Sequence, residues 1–190
     1  MYLPQEWADD PARREKAKVP EEVIFATKPQ LAQRMLERAF SAGVPMAWVT
    51  GDTVYGSDPG LRQSLQERRQ PYVLAVAKDE RLSWEQGRIR AQTLARRLPA
   101  LAWQTLSCGN GAKGPRLYDW ARLALDAPEQ AGFNFWLLVR RSLCDASECA
   151  YYLVFAPQQT PLATLVSVAG TRWSIEVCFE NAKGEVGLDQ

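Results

Sequence analysis

One order of elements constrains the fold of this chain more than any other feature. A short apolar run at 45–50 is followed by a helix-like segment at 58–69 and by a second apolar run at 71–77. Asp58 followed by Pro59 is typical of a helix start, because the carboxylate caps the first turn and proline suits its first position. Two strands joined through a helix favour parallel pairing in one sheet. The order therefore predicts an α/β fold.

Further elements follow from the same patterns. Residues 28–43 are predicted to be a helix with Leu31, Met35 and Leu36 on its apolar side. A second helix is predicted from near Pro161 to the end of the sequence.

The segment 79–158 interrupts the α/β order. It is predicted to contain a basic helix near 88–98, followed by runs rich in β-branched and aromatic residues. Three strands are expected, at 117–125, 133–142 and 148–155, and the last two would form a hairpin. We therefore expect an α/β core in 1–78, an inserted basic helix with a β subdomain in 79–158, and a C-terminal core helix in 159–190.

The final helix carries a charged motif with the spacing R-x3-E-x6-K. Arg172, Glu176 and Lys183 fall within about 40° of one another around a helix. One carboxylate beside two cations suits a divalent metal ion together with phosphate. The alternative is a solvated ion pair, which contributes about 0.2–0.5 kcal/mol. A neighbouring apolar stripe is expected to seat the helix on a core; it comprises Val168, Ile175, Phe179, Ala182 and Val186.

A second carboxylate closes the first apolar run. Gly51-Asp52 ends the predicted strand 45–50, and ligands of open α/β sheets gather at such carboxyl ends. The alternative is an Asx-turn made by Asp52. Together, Asp52 and Glu176 are candidate metal-binding carboxylates.

Three stretches give the chain a resemblance to a known family. VTGDTVYGSDPGLRQSL, YVLAVAK and AGTRWSIEVCFENAKGEVGLDQ resemble bacterial insertion-sequence transposases with a DDE catalytic domain, in the branch with the signature Y-x2-R-x3-E-x6-K. The resemblance implies a ribonuclease H-like, retroviral integrase-like core, here incomplete, with a largely β insertion before the last helix. It also implies Mg²⁺ or Mn²⁺ as cofactor and metal-dependent cleavage and strand transfer of DNA.

The resemblance also assigns roles to single residues. Asp52 would be the second catalytic and metal-binding acid and Glu176 the third, while Arg172 and Lys183 would grip DNA phosphates. The signature tyrosine falls at Ala169, where this sequence departs from the pattern. The implied partner is double-stranded DNA, as element ends and target, and the full-length parent is expected to be a homodimer.

The family's first catalytic aspartate has no counterpart in the sequence. Asp9 and Asp10 lie in a charged segment marked by Pro11, whereas the catalytic position requires an apolar strand. We therefore expect a transposase fragment that lacks both ends and is inactive by itself.

Composition narrows the possible chemistry. The chain has no histidine, which removes the Ser-His, Cys-His and HExxH systems. Its four cysteines lack zinc-ligand spacing and are expected to be free thiols in a cytoplasmic protein. No apolar run is long enough to suggest a membrane span. Carboxylate-metal chemistry is among the few hydrolytic options that remain.

Positive charge is concentrated in 81–122. This block holds eight cations and two acids, a net charge of +6, in a chain of net charge +1. Arg88, Arg96 and Arg97 are candidate DNA contacts on the predicted basic helix. One alternative is a solvated helix face. Another is that the block makes the chain a non-catalytic DNA-binding or interfering module derived from a transposase.

One motif suggests a nucleotide-dependent enzyme, which stays open as a third alternative, although the context of the motif argues against a dinucleotide fold. Residues 109–114 satisfy G-x-G-x-x-G, but a dinucleotide site requires the glycines to follow a strand and open a helix. The residues after 114 predict a strand. A basic loop is the preferred interpretation.

Overall fold

The computed structural model describes residues 3–111, 114–127 and 130–186. Within the last helix, the side chains of Ser174, Glu176, Val177 and Val186 also lie outside the description. The chain forms two compact units that divide after Pro45. The predicted three-part division of the chain stays a prediction.

The first unit contains three helices, α1 (Gln5–Ala8), α2 (Pro11–Lys16) and α3 (Lys28–Ser41). Asp10 caps α2, where its Oδ1 accepts a hydrogen bond from the Arg13 N–H at 3.0 Å. Thr27 and Gln30 form a reciprocal capping box at the start of α3. The predicted helix 28–43 is therefore confirmed to within its last turn. Met35 was expected on its apolar side but is 61% exposed.

Among the described residues, the second unit holds all the strands and four helices. Its strands are β1 (Val49–Gly51), β2 (Tyr72–Val76), β3 (Arg81–Trp84), β4 (Gly87–Arg90), β5 (Gln104–Gly111), β6 (Gly114–Ala124), β7 (Phe133–Arg141) and β8 (Cys149–Pro157). Its helices are α4 (Thr53–Gly56), α5 (Pro59–Glu67), α6 (Ala91–Arg96) and α7 (Leu162–Val186), with a 3-10 turn at Ala100–Ala102.

Six strands form one mixed sheet in the order β1-β2-β8-β7-β6-β5. β1 and β2 are parallel, as the strand-helix-strand pattern predicts, and every other neighbouring pair is antiparallel. The three strands predicted within 79–158 correspond to β6, β7 and β8. Because β8 pairs with β2, these strands extend the sheet that contains β1. Strand β5 was not predicted.

One face of the sheet packs against the first half of α7. Trp120, Leu138 and Val154 from neighbouring strands form a buried cluster with Leu165 and Val166 of the helix. Each side chain of this size contributes about 1.5–3 kcal/mol when it is fully buried. Helix α7 also contacts β1, β2, β5 and β6, so it crosses the sheet from edge to edge.

The opposite face is covered by smaller elements. Tyr72 lies there against Phe155, with ring centroids 5.8 Å apart, and its hydroxyl accepts a hydrogen bond from Gln66 of α5 at 2.7 Å. Leu61 and Leu65 of α5 are almost completely buried. Burial raises the pKa of Tyr72 to about 12, an effect that the Gln66 hydrogen bond and the charge of Arg62 partly oppose.

Two glycines allow helices to touch the sheet backbone. A Cβ at Gly170 of α7 would lie 1.8 Å from the carbonyl oxygen of Cys108 on β5. A Cβ at Gly56 of α4 would lie equally close to the carbonyl oxygen of Ala75 on β2. Since no side chain fits at either position, these contacts fix the distances between helix and strand.

The basic helix predicted near 88–98 is confirmed only over Ala91–Arg96 and is wrong at both ends. Arg88 and Arg90 lie on β4, which pairs with β3 in a two-stranded antiparallel hairpin, and helix α6 begins only at Ala91. Glu85 and Gln86 form the turn with φ of 47° and 61°. Such turns favour Asn-Gly, so Glu-Gln gives little sequence signal for a hairpin.

Replacing Gly170 by alanine is predicted to destabilise the second unit. The new methyl group would meet the Cys108 carbonyl and force α7 away from β5, and strain of this kind costs about 1–3 kcal/mol or more. The measurement is the free energy of unfolding from urea denaturation. Gly184→Ala on the same helix is the control, because a Cβ there meets no atom within 4 Å. Equal stability of the two variants would contradict the close approach.

Tyr72 predicts a loss of stability at high pH. The folded state holds the phenolic proton more tightly than the unfolded state, where the pKa is about 10. Its contribution is therefore complete below pH 10 and is lost as the pH rises towards 12, by about 3 kcal/mol. Urea denaturation between pH 9 and 12 should show a smaller alkaline loss in Tyr72→Phe than in the unchanged protein. Parallel curves would contradict this prediction.

Candidate functional site

Asp52 stands at the carboxyl end of β1, as predicted, and also caps α4. Its Oδ1 accepts a hydrogen bond from the Val54 N–H at 2.9 Å, which is the Asx-type geometry that the alternative anticipated. Asp52 is exposed, and its second carboxylate oxygen has no hydrogen-bond partner among the described residues. The capped oxygen fixes the orientation of the side chain, and the second oxygen is available to a ligand.

An open groove of about 390 Å³ begins at the residue that follows Asp52 in the sequence, and Asp52 itself is not one of its lining residues. Thr53, the residue after Asp52, lies at one side, and Arg172 and Trp173 of α7 lie at another. Small side chains of β2 and β8, Ala75 and Ala150, line it between them. The remaining lining residues are Val76, Lys78, Arg140, Cys149, Tyr151 and Tyr152. Residues that follow β1 and residues of α7 therefore line the same groove.

Three cations and no carboxylate line this groove among the described residues. Arg140 comes from β7, Lys78 follows β2 and Arg172 comes from α7. The Arg140 guanidinium lies 4.4 Å from the ring centroid of Tyr118. Burial raises the pKa of Tyr152, against the opposing charges of Arg140 and Arg172. The groove is thus positively charged and suited to a phosphate group.

Arg116 anchors the part of α7 that borders the groove. Its Nη2 donates hydrogen bonds to the carbonyl oxygens of Cys108 at 3.0 Å and Gly170 at 3.2 Å. The guanidinium also lies 5.6 Å from the ring centroid of Trp173. These contacts tie β5, β6 and α7 together immediately before Arg172.

The structure describes the side chains at some of the other positions of the family signature, but not at all of them. Ala169 is buried against the sheet, so the position that the family gives to tyrosine packs in the core here. The Glu176 side chain lies outside the described residues, although its backbone continues α7 one turn beyond Arg172. Lys183 is exposed in the last turns of the helix. The roles of Glu176, Arg172 and Lys183 stay predictions.

The apolar stripe predicted on α7 is only partly seated on a core. Val168 is buried, but Ile175 and Phe179 are 58% and 60% exposed. Trp173, on the same part of the helix, is 47% exposed. The sheet ends before the second half of the helix, and helical periodicity alone does not reveal where a packing partner stops.

The basic block 81–122 does not form a single surface. Arg116 packs beneath α7, and Arg122 donates to the Thr160 carbonyl at 2.7 Å while lying over Trp136. Arg96 and Arg97 are exposed on or just after α6. The Arg97 guanidinium lies 5.1 Å from the ring centroid of Trp84. The pKa of Tyr151 is raised by burial and by Cys149, and the charge of Arg96 partly opposes this shift.

The glycine motif at 109–114 does not open a helix. Gly109 and Gly111 lie on β5, and Gly114 begins β6, which pairs with it. Ala112 and Lys113, between the two strands, lie outside the described residues. The glycines connect two strands and do not open a helix. This confirms the structural argument against a dinucleotide site.

The described residues offer few ligands of the kind that a divalent cation prefers. Within the described part of the chain, no three acidic, thiol or imidazole side chains come together. Each of the four cysteines is a free thiol. The available oxygen of Asp52 is a hard ligand that suits Mg²⁺ or Mn²⁺. The described residues therefore supply one of the carboxylates that a site for such a metal ion needs.

Sequence reasoning missed Lys78 and Arg140. They lie 62 positions apart in the sequence, and only the pairing of β2 with β8 and of β8 with β7 brings them to one groove. Lys78 did carry a signal, since it follows the apolar strand β2 just as Asp52 follows β1. Arg140 is one of two adjacent arginines on β7, and no sequence pattern marked it as a site residue.

Comparison with known proteins gives one family. The model of a family described as DDE superfamily endonuclease matches residues 1–110, more than half of the chain. No curated protein matches the sequence. Within the described residues, no helix has both the length and the apolar character that a membrane crossing requires.

Proposed function

The chain belongs to the DDE superfamily of endonucleases, and we propose that its groove beside Asp52 binds a DNA strand for metal-dependent phosphoryl transfer of the transposase type. The observation that carries the proposal is the cationic groove, where Arg172, Lys78 and Arg140 meet next to Thr53, the residue that follows Asp52 at the end of β1. A carboxylate beside grouped cations suits a phosphodiester and its metal ion.

Asp52 and Glu176 are proposed as the residues that would hold Mg²⁺ or Mn²⁺. The ion would supply charge stabilisation at the phosphorus centre and activate the attacking oxygen. Asp52 is suited to this role because one oxygen is held by the Val54 N–H and the other has no partner among the described atoms. Capping thus reduces the freedom that the carboxylate would lose on binding an ion.

The cations of the groove are proposed to bind and orient the DNA backbone. Arg172 presents a planar fork that can hold two oxygens of one phosphate, and Lys78 offers a compact charge at the end of β2. Arg140 is half-buried, with its side chain held against Tyr118, so little conformational entropy is lost when it binds. Lys183 is proposed to contact a phosphate further along α7.

The finer family features remain part of the proposal. They are a ribonuclease H-like core in which the strands of 79–158 form an insertion, an insertion-sequence origin, a homodimeric full-length parent and a cytoplasmic location. Double-stranded DNA, as element ends and target, is the proposed substrate. The expectation that this chain does not cleave DNA by itself is kept as a prediction.

One alternative is supported by a specific observation. Arg88, Arg96 and Arg97 are exposed outside the groove, so the chain could bind DNA without any contribution from Asp52. A non-catalytic or interfering DNA-binding module would show DNA affinity that does not respond to divalent metal or to Asp52→Asn.

Asp52→Asn is predicted to abolish Mn²⁺ binding at little cost in stability. Asparagine also caps helices, so the Val54 hydrogen bond can persist while the charge is lost. Calorimetric titration with Mn²⁺ measures the binding. Asp58→Asn is the matched control, since Asp58 has the same capping role, through the Leu61 N–H, but stands at the start of α5 and not at the end of β1. Undiminished Mn²⁺ binding by Asp52→Asn would refute the metal site.

The same variant tests activity on a supercoiled plasmid that carries element ends, incubated with Mg²⁺ or Mn²⁺. The plasmid is expected to stay uncut. Cleavage that Asp52→Asn abolishes would contradict the expected inactivity and support the site. Cleavage unaffected by Asp52→Asn would contradict both.

Lys78→Gln and Arg140→Gln are each predicted to lower the affinity for DNA and to make that affinity less dependent on salt concentration. Each lost phosphate contact lowers the slope of log K against log salt by about 0.9 for duplex DNA. Fluorescence anisotropy of a labelled duplex across a salt series measures the slope. Arg141→Gln is the control, because Arg141 neighbours Arg140 but pairs with Asp119 at 2.9 Å. An equal loss in all three variants would indicate a general charge effect and contradict the groove.

A further inference from the structure

The hairpin of β3 and β4 has two chemically different faces. Arg81 pairs with Arg90 and Ser83 pairs with Arg88, and all four of these residues are exposed. Leu82 pairs with Ile89 on the other face, where Leu82 is 5% exposed. Alternation along each strand therefore places three arginines on the outer face of a two-stranded ribbon.

The outer face carries an uncompensated charge. Arg81 and Arg90 are directly opposite each other, and like charges in that position destabilise a strand pair. No described carboxylate lies within ion-pair distance of Arg81, Arg88 or Arg90. Among the described atoms, the one hydrogen bond from these guanidinium groups goes from Arg88 Nη2 to the Arg81 carbonyl within the ribbon, at 2.9 Å. An anionic ligand would remove this repulsion.

The ribbon is anchored at both ends. At its base, Ala91 N–H donates to the Glu80 carbonyl and Gln92 N–H to the Lys78 carbonyl, each at 2.9 Å. Near its tip, Asp126 N–H donates to the Ser83 carbonyl at 3.0 Å. These bonds hold the arginines on a preorganised backbone.

We propose that the outer face of the β3–β4 ribbon is a second DNA-binding surface, which contacts phosphates of duplex DNA through Arg81, Arg88 and Arg90. Duplex DNA is favoured because its phosphates form a regular row of negative charge, and strand residues on one face repeat about every 6.6 Å. Two-stranded β-ribbons also have the width of the major groove. This inference rests on the proposed function, since it assumes a DNA substrate, and it adds a contact surface outside the groove.

The test measures duplex binding by fluorescence anisotropy across a salt series. Arg81→Gln, Arg88→Gln and Arg90→Gln are each expected to lower the salt slope by about 0.9, and the triple variant by roughly three times as much. Arg34→Gln is the matched control, because it removes the same charge from an exposed position on α3. Its slope should equal that of the unchanged protein.

A second measurement does not depend on DNA. Removal of one member of the Arg81/Arg90 pair relieves the repulsion, so Arg81→Gln should unfold at the same or a higher temperature than the unchanged protein. A lower melting temperature would show that Arg81 stabilises the fold. It would overturn the assignment of Arg81 to a DNA-binding surface.

The outcomes separate the two proposals. If the unchanged protein binds duplex DNA and the triple variant keeps its full salt slope, the ribbon proposal fails while the groove proposal stands. If Lys78→Gln and Arg140→Gln keep the full slope and the triple variant loses it, the groove assignment fails and the ribbon is supported. If the unchanged protein does not bind duplex DNA, both fail.

Discussion

The contact between Gly170 of α7 and the Cys108 carbonyl of β5 determines where the rest of the site lies. A helix can approach a strand this closely only where it has no side chain. Arg116 reinforces the contact by donating to both backbone carbonyls. Since Arg172 follows two residues later, the same contact sets its position over the sheet. A small change in the distance between helix and strand would move Arg172 relative to Lys78 and Arg140.

Local patterns were sufficient for the parts of the fold whose signals are local. The parallel pair β1 and β2 followed from two apolar runs and the Asp58-Pro59 helix start, because capping and strand period act within a few residues. Strand β5 was missed because Gln104–Gly111 contains little apolar character of its own. Its place in the sheet comes from pairing with β6. Pairing energy of that kind is not visible in the strand's own sequence.

Residues of the candidate groove could be found from the sequence only where a local pattern marks them. Arg172 could be found from helical spacing, but Lys78 and Arg140 meet it through pairing across three strands. Charge along the sequence was also a poor guide to charge on the surface. Arg116 and Arg122 belong to the basic block, yet both donate to backbone carbonyls beneath or beside α7. A guanidinium used in this way stabilises the fold and is withdrawn from ligand binding.

The two interpretations of Asp52 are compatible because a carboxylate has two oxygens. Capping of α4 uses Oδ1 and leaves a second oxygen that no described group engages. The cap therefore acts as a positioning contact, since it selects one orientation of the side chain before any ligand arrives. The same reasoning applies to Arg140, whose guanidinium is held against Tyr118. Contacts that support the fold thus hold Asp52 and the groove residue Arg140 in place, which lowers the entropy lost when a metal ion or a phosphate binds to them.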